Sequence, residues 1–449
     1  MSFLADLMDS VLTRGRSLMG LPQPDAPPED PVALCRALLS SRGEASGVAL
    51  AEAALAAYRR LGPEERTGFL GTLVSDFGAD RQAVEAAVLH WQNTPDEEAL
   101  ARLHQASEPR RQELLRRLNH AASGTLQLVR MREDVLRRIG TSPHLAALDR
   151  DFLHLFTSWF NRGFLVLRPV GWGTPANILE KIIRYEAVHA IESWQDLRRR
   201  LEPADRRCFA FFHPQMVDEP LVFVEVALTD QIPGTIAEVL REDRQPIDPA
   251  AATTAVFYSI SNCQDGLRGV SFGNFLIKQV VAELRRDLPG LENFVTLSPV
   301  PGFAGWLEQE CARPDGLLDD GLKQRLAPLA RPGWTATPDP ALDEALEESA
   351  CLYFLTARHR DRVIDPVARF HLGNGARLEQ INLLGDPSAK GLKQAHGLMV
   401  NYRYVLAEIE KNHEAFVNEQ KVTVAPALLK RHQQFEKARK ARQKAAEQA

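Results

Sequence analysis

Near Phe160 the hydrophobic pattern of this 449-residue chain changes period, and that change limits what either half can become. From residue 32 to about 158, apolar residues return at three- and four-residue steps with short breaks, the pattern of amphipathic helices. In DRQAVEAAVLHW, Asp80 is placed to cap a first turn, and Val84, Val88 and Trp91 share one face. Val135, Leu136 and Ile139 do the same ahead of Gly140. From Gly163 onward the chain instead carries runs rich in β-branched and aromatic residues: FLVLRPV, CFAFFHP, PLVFVEVAL, TTAVFYSIS, NFVTLSPV and later ARLEQINLLG. Helical stretches separate some of these runs. PLVFVEVAL and TTAVFYSIS are placed to pair as antiparallel neighbours, which argues against a doubly wound parallel sheet.

The expectation is therefore an α+β protein, with an all-helical domain over residues 1–160 and a mixed β-sheet flanked by helices over 161–449. Within the second domain, residues 303–360 read as a helical insertion interrupted by RPGWTATPDP, and 428–449 as a basic helical tail.

Charge and cysteine usage exclude several classes. With 54 Lys+Arg against 59 Asp+Glu the net charge is −5, so the dominant basic surface that nucleic acid requires is missing. The tail, LLKRHQQFEKARKARQKAAEQA, is the one basic concentration, and its plainest reading is a solvated helix that frays. Cys35, Cys208, Cys263, Cys311 and Cys351 are scattered and odd in number, which indicates neither a disulfide framework nor zinc. His189 and His213 belong to no H-x-x-x-H pair, so no metal is expected. The N-terminus, with Asp6 and Asp9, does not read as a secretory signal, and no run approaches the length of a membrane span. A cytoplasmic protein without integral membrane association is expected.

The most informative segment is TAVFYSISNCQDGLRGVSFGNFLIKQVVAELRRDLPG. A buried strand, a loop with Gly266, Gly269 and Gly273, and a helix follow one another, with Phe272, Leu276, Val280, Leu284 and Leu288 at steps of four. Unpaired N–H groups at such a helix start, on the positive end of its dipole, suit a pyrophosphate. The same pattern also describes an ordinary strand-to-helix turn, and it is neither a P-loop nor a clean G-x-G-x-x-G. In NFVTLSPVPGF, which comes next, Pro299 and Pro301 are expected to end the strand at Ser298.

With GLRGVSFGNFLIKQVV, TLSPVPGF, PVARFHLGNGARLEQIN and GLMVNYRY in that order over roughly 140 residues, the sequence resembles the malonyl-CoA decarboxylase family. The resemblance implies a helical oligomerisation domain followed by a catalytic domain of the GCN5-related N-acetyltransferase fold. It places CoA binding on Arg268, Gly269, Val270, Ser271, Phe272, Gly273 and Asn274, a catalytic proton acceptor on Ser298 and a proton donor on His371. The acetyltransferase loop pattern is met at Arg268 and Gly273, but its middle glycine is Ser271, which favours the decarboxylase over a general acetyltransferase.

The reaction so implied takes malonyl-CoA to acetyl-CoA and CO2 through an enolate, with no metal or organic cofactor, in a homodimer or homotetramer. Ser298 either accepts a proton or orients the departing carboxylate. An acyl-CoA-dependent acyltransferase and a non-catalytic acyl-CoA sensor are the alternatives. His189, His213, and Tyr402 with Tyr404 of NYRY could all line the pocket but are left outside the catalytic set, half-buried helix residues being the plainer reading of the two tyrosines.

Overall fold

The computed structural model describes residues 30–270 and 275–447; the N-terminal amphipathic segment, most of the proline-rich stretch and Ser271 to Asn274 lie outside the described residues. By its contacts the chain forms two units.

The helical unit holds the chain up to Val166 together with Phe212–Pro220 and the described part of Gln264–Phe272. Asp30, Asp80 and Asp96 accept first-turn N–H bonds of helices Pro31–Ser40, Arg81–Asn93 and Glu97–Ser107. Leu70, Leu73, Leu114, Leu128, Val129 and Phe152 are fully enclosed. Charges enter this core in pairs: Arg111 meets Asp151, and Asp134 accepts from Tyr58 Oη and Arg138 Nη1, both at 2.9 Å. The hairpin Arg81–Asn93 and Glu97–Ser107 is different, since its first helix buries no residue and its second only Ala99. Val84, Val88 and Trp91 do share a face, but that face is only half-buried, and Leu89 is 60% exposed.

The glycine loop is seated in this unit through Gly266. A Cβ at Gly266 would lie 2.0 Å from Val129 O, so only glycine fits against the helix Gly124–Arg138. Arg132, from that helix, donates through Nη1 to Gly266 O at 2.9 Å and pairs with Asp149 at 2.8 Å.

The second unit is built on one sheet of β1 (Val166–Val170), β2 (Arg206–Phe212), β3 (Pro220–Thr229), β4 (Thr254–Asn262), β5 (Asn293–Thr296) and β6 (Ser298–Pro299), joined by two later strands. A separate two-stranded hairpin is formed by β7 (Arg358–His359) and β8 (Arg362–Val363). β9 (Arg377–Asn382) pairs with β10 (Met399–Arg403), whose other edge takes both β5 and β6. β3 and β4 are antiparallel, as the sequence suggested, with a bulge that leaves Tyr258 as the extra residue on β4. β4 and β5 are parallel across the helix Phe275–Asp287, which makes the sheet mixed.

That parallel pair opens. Its register ends at Phe257 and Thr296, with a last bond from Leu297 N to Phe257 O at 3.1 Å. β4 then continues to Asn262 along β3, whereas Ser298 and Pro299 follow β10. The strand therefore does not end at Ser298 as expected. It breaks at Leu297 and resumes as β6, because the sheet has already opened and Pro299 lies on an edge where its missing N–H forfeits little.

One face of the sheet, with Ala227, Val256, Tyr258, Val295, Leu297 and Met399, packs on Ile236 and Val239 of the helix Ile236–Leu240. On the opposite face Phe257 and Tyr404 meet edge to face at 6.5 Å. Within 303–360 lie the helices Phe303–Ala312, Asp320–Leu326 and Pro340–Leu355, after which the segment passes into strand β7.

The basic tail corrects the expectation of a fraying helix. Pro426–Glu447 docks on the insertion, with Arg431 on Glu347 at 3.1 Å and Arg442 on Glu348 at 2.6 Å and Asp319 at 3.1 Å. Acidic side chains of the insertion thus neutralise charges that sequence alone left free.

Candidate active site

Ser298 and His371, 73 residues apart in sequence, meet at 3.3 Å between Oγ and Nε2. Both are buried. β6 presents the serine, and the helix Pro366–Gly373 presents the histidine. That helix starts where Asp365 accepts from Ala368 N at 2.8 Å with Pro366 at its first position, a start that the sequence DPVA encodes directly.

The hydrogen bonds around this pair run in one direction. Thr296 Oγ1 accepts from Tyr402 N at 3.1 Å and from Ser298 Oγ at 2.9 Å. With its own proton on Thr296, Ser298 Oγ is an acceptor for His371 Nε2–H. The other ring nitrogen, Nδ1, then accepts from Tyr404 Oη at 2.8 Å. The tautomer is assigned from this network. The ring also stacks on Tyr402 at 4.8 Å and 23°.

Burial drives the electrostatics. It pushes the His371 pKa down to about 3, so the imidazole is neutral at physiological pH, and it holds the Tyr402 and Tyr404 hydroxyls well above the usual tyrosine range. Asp365 is pushed up to about 6 by burial, against the pull of its backbone bonds and of Tyr353 Oη at 3.2 Å. A neutral ring with a proton on Nε2, fed at Nδ1 by a phenol, is equipped to give a proton to a strong carbon base.

Sequence reasoning allowed Tyr402 and Tyr404 to line the pocket but left them out of the catalytic set, as half-buried helix residues. They belong to β10 and the residue following it, not to a helix, and both are buried. The alternation of MVNYRY was the available signal, since a period of two puts Tyr402 and Tyr404 on one face. Thr296, two residues before Ser298, was legible by the same rule.

The loop residues are distributed differently. Arg268, Gly269 and Val270 belong to the helical unit; Arg268 pairs with Asp265 at 3.3 Å, and Gly269 has a left-handed φ of 82°. Ser271, Phe272, Gly273 and Asn274 lie outside the described residues. His213 is occupied structurally, donating to Trp159 O at 3.2 Å. Among the described residues no three His, Cys, Asp or Glu side chains gather as a metal site requires.

Comparison with known proteins decides the lineage. A family model described as the malonyl-CoA decarboxylase C-terminal domain matches residues 163–445, and one for the N-terminal domain of the same family matches 77–160. The chain belongs to the malonyl-CoA decarboxylase family. It is accordingly a carboxy-lyase.

Members of this family similar to the chain come from distant sources. The solved malonyl-CoA decarboxylase of Rhodopseudomonas palustris is 55% identical, with a TM-score of 0.86, over 89% of this chain and 98% of that one. That of Agrobacterium vitis is 56% identical, with a TM-score of 0.85, over 90% and 100%. A curated mitochondrial malonyl-CoA decarboxylase from the goose Anser anser anser is 35% identical over 83% of this chain and 80% of its own length. Among the described residues no helix is long and apolar enough to cross a membrane.

Proposed function

We propose that the chain converts malonyl-CoA to acetyl-CoA and CO2 without a metal or organic cofactor, and that Ser298 and His371 act at the thioester. The observation that carries this reading is the buried 3.3 Å contact between them in a member of this family. The malonyl carboxylate is β to a thioester carbonyl, so the breaking C–C bond delivers its electron pair into that carbonyl and leaves an enolate. When substrate binds, the Ser298 hydroxyl turns its proton from Thr296 Oγ1 to the carboxylate and holds it so that this bond stands across the thioester plane. His371 Nε2–H then protonates the enolate carbon as Tyr404 Oη gives its proton to Nδ1; once product has left, a proton from solvent enters at Nε2 and Nδ1 returns its proton to Tyr404 Oη, which restores both groups for the next cycle. The acyl arm enters where β4 and β5 diverge, and Arg268 to Asn274 hold the CoA phosphates. Burial of both side chains excludes water from the enolate.

Incubation of EDTA-treated protein with malonyl-CoA, followed by chromatography, is expected to yield acetyl-CoA with the wild type and almost none with His371→Ala. Acetyl transfer from acetyl-CoA to an amine without decarboxylation would instead identify an acyltransferase. CoA binding without turnover would identify a sensor.

The helical domain is proposed to assemble homodimers or homotetramers in the cytoplasm. The half-buried face of Val84, Val88 and Trp91, with Leu89 exposed beside it, is apolar surface that a second copy would cover. Trp91→Asp is expected to lower the mass seen by sedimentation while leaving the helical circular dichroism unchanged; an unaltered mass would remove this face from the interface.

A further inference from the structure

The second unit carries an open cleft of about 970 Å³ between the helix Phe303–Ala312 and the β7–β8 hairpin, lined by neither Ser298 nor His371. Such a volume lies at the upper end of small-molecule sites, roughly 300–1,000 Å³. Arg358 lines it and is half-buried. Its Nη1 is spent on Ala357 O at 2.9 Å and Phe354 O at 3.4 Å, at the end of the helix Pro340–Leu355. No described residue accepts from its Nε or Nη2, and no carboxylate among the described residues pairs with it. Burial pulls this guanidinium below the usual arginine range, the mark of a cation that has lost water without gaining a counter-charge.

The rest of the cleft agrees with an anionic occupant. Of its two carboxylates, Glu310 is already satisfied by Arg313 Nη1 at 3.0 Å and Leu317 N at 2.8 Å, which leaves Asp315 at the exposed rim. His359 stands beside Arg358 on the lining, and Arg313 adds a second cation there, itself paired with Glu310. The hairpin turn holds two consecutive non-glycine residues, Arg360 at φ 48° and Asp361 at φ 61°, in left-handed conformation. A two-residue connection of this kind ordinarily uses Asn-Gly or Asp-Gly, and here it fixes Arg358 opposite Val363. At Gly305 a Cβ would meet nothing within 4 Å, so the cleft wall is bare backbone there.

We propose that this cleft is a binding site for a phosphate ester of nucleotide size, with the free Nε and Nη2 edge of Arg358 as its bidentate anchor. The edge matches two phosphate oxygens. The phosphate is either the 3′-phosphate of the substrate's CoA, distinct from the pyrophosphate that the glycine loop would receive, or that of a separate phosphorylated metabolite. Only the first of these sources rests on the decarboxylase reading.

The probe is adenosine 3′,5′-bisphosphate, titrated by calorimetry at low salt into the full chain, with no turnover involved. The wild type is expected to bind it, Arg358→Gln to bind at least tenfold more weakly, and Arg358→Lys to fall between them, because charge is kept and the fork is lost. Gly305→Leu, on an exposed helix position with room for the side chain, is expected to weaken binding by a similar factor while leaving the arginine in place. Displacement of the probe by CoA assigns the phosphate to the substrate; simultaneous binding of both assigns it to a separate ligand. No binding by the wild type, or unchanged affinity in Arg358→Gln and Gly305→Leu, overturns the proposal. A chain that binds the probe through Arg358 yet fails to decarboxylate malonyl-CoA overturns only the reading of the previous section.

Discussion

Replacing His371 by alanine is expected to lower kcat by about 10²–10⁴-fold, the range of a positioned general acid, with KM for malonyl-CoA changed little. Ser298→Ala is expected to cost about a hundredfold or more on the same grounds. The asymmetry between kcat and KM follows from geometry: both side chains sit at the sheet end, and neither belongs to the loop proposed to hold the phosphates. Tyr404→Phe removes the donor to Nδ1 but leaves the stacked ring and Ser298 in place, so a smaller loss is expected. The pH profile adds an independent reading. Since burial holds His371 neutral until about pH 3, kcat should show no limb near the ordinary histidine value. A limb near pH 6.5 that disappears in the variant would instead make imidazolium the donor. The sign for stability is fixed by the same shift. The folded value is depressed, so His371's contribution is complete above its unfolded pKa and is lost as pH falls toward 3.

The pairing of Ser298 with His371 shows what spacing can and cannot deliver. Strand and helix were each legible from local signals: alternation and prolines around Ser298, and the Asp-Pro start ahead of His371. Their meeting depends on β10 lying beside both β5 and β6, a long-range pairing that no local pattern encodes. The prolines misled for the same reason. Whether Pro299 ends a strand depends on whether a neighbour needs its N–H, and the divergence of β4 from β5 removes that neighbour on one side. The docking of the tail was hidden likewise, because its arginines find Glu347, Glu348 and Asp319 only once the insertion has folded. The helical unit was easier, since its periodicity and Asp caps act within a few residues. What sequence did not reveal there is that Phe212–Pro220 and the glycine loop make their contacts with those helices.

That attachment makes Gly266 a position outside the catalytic pair where one methyl group is expected to do large damage. In Gly266→Ala the new Cβ would start 2.0 Å from Val129 O, a backbone atom held inside the helix Gly124–Arg138, so no side-chain rotation can relieve the clash. Overpacking of this kind costs about 1–3 kcal/mol, and it can be released in two ways. If the helix moves, the cost appears as a lower Tm with KM unchanged. If the loop lifts, Arg132 Nη1 loses Gly266 O, and the backbone from Arg268 onward leaves its seat. The loop is the weaker partner, anchored by a few bonds where the helix is buried along its length, with Gln127, Leu128, Val129, Met131 and Arg132 all enclosed. The expected result is therefore a rise in KM for malonyl-CoA of about tenfold, worth 1.4 kcal/mol, with kcat at saturation close to wild type. Gly269→Ala is the control, since its left-handed φ of 82° strains an alanine by about 1–2 kcal/mol without a backbone clash. Equal, unshifted KM values in both variants would detach this loop from substrate binding and leave the phosphates to be held elsewhere.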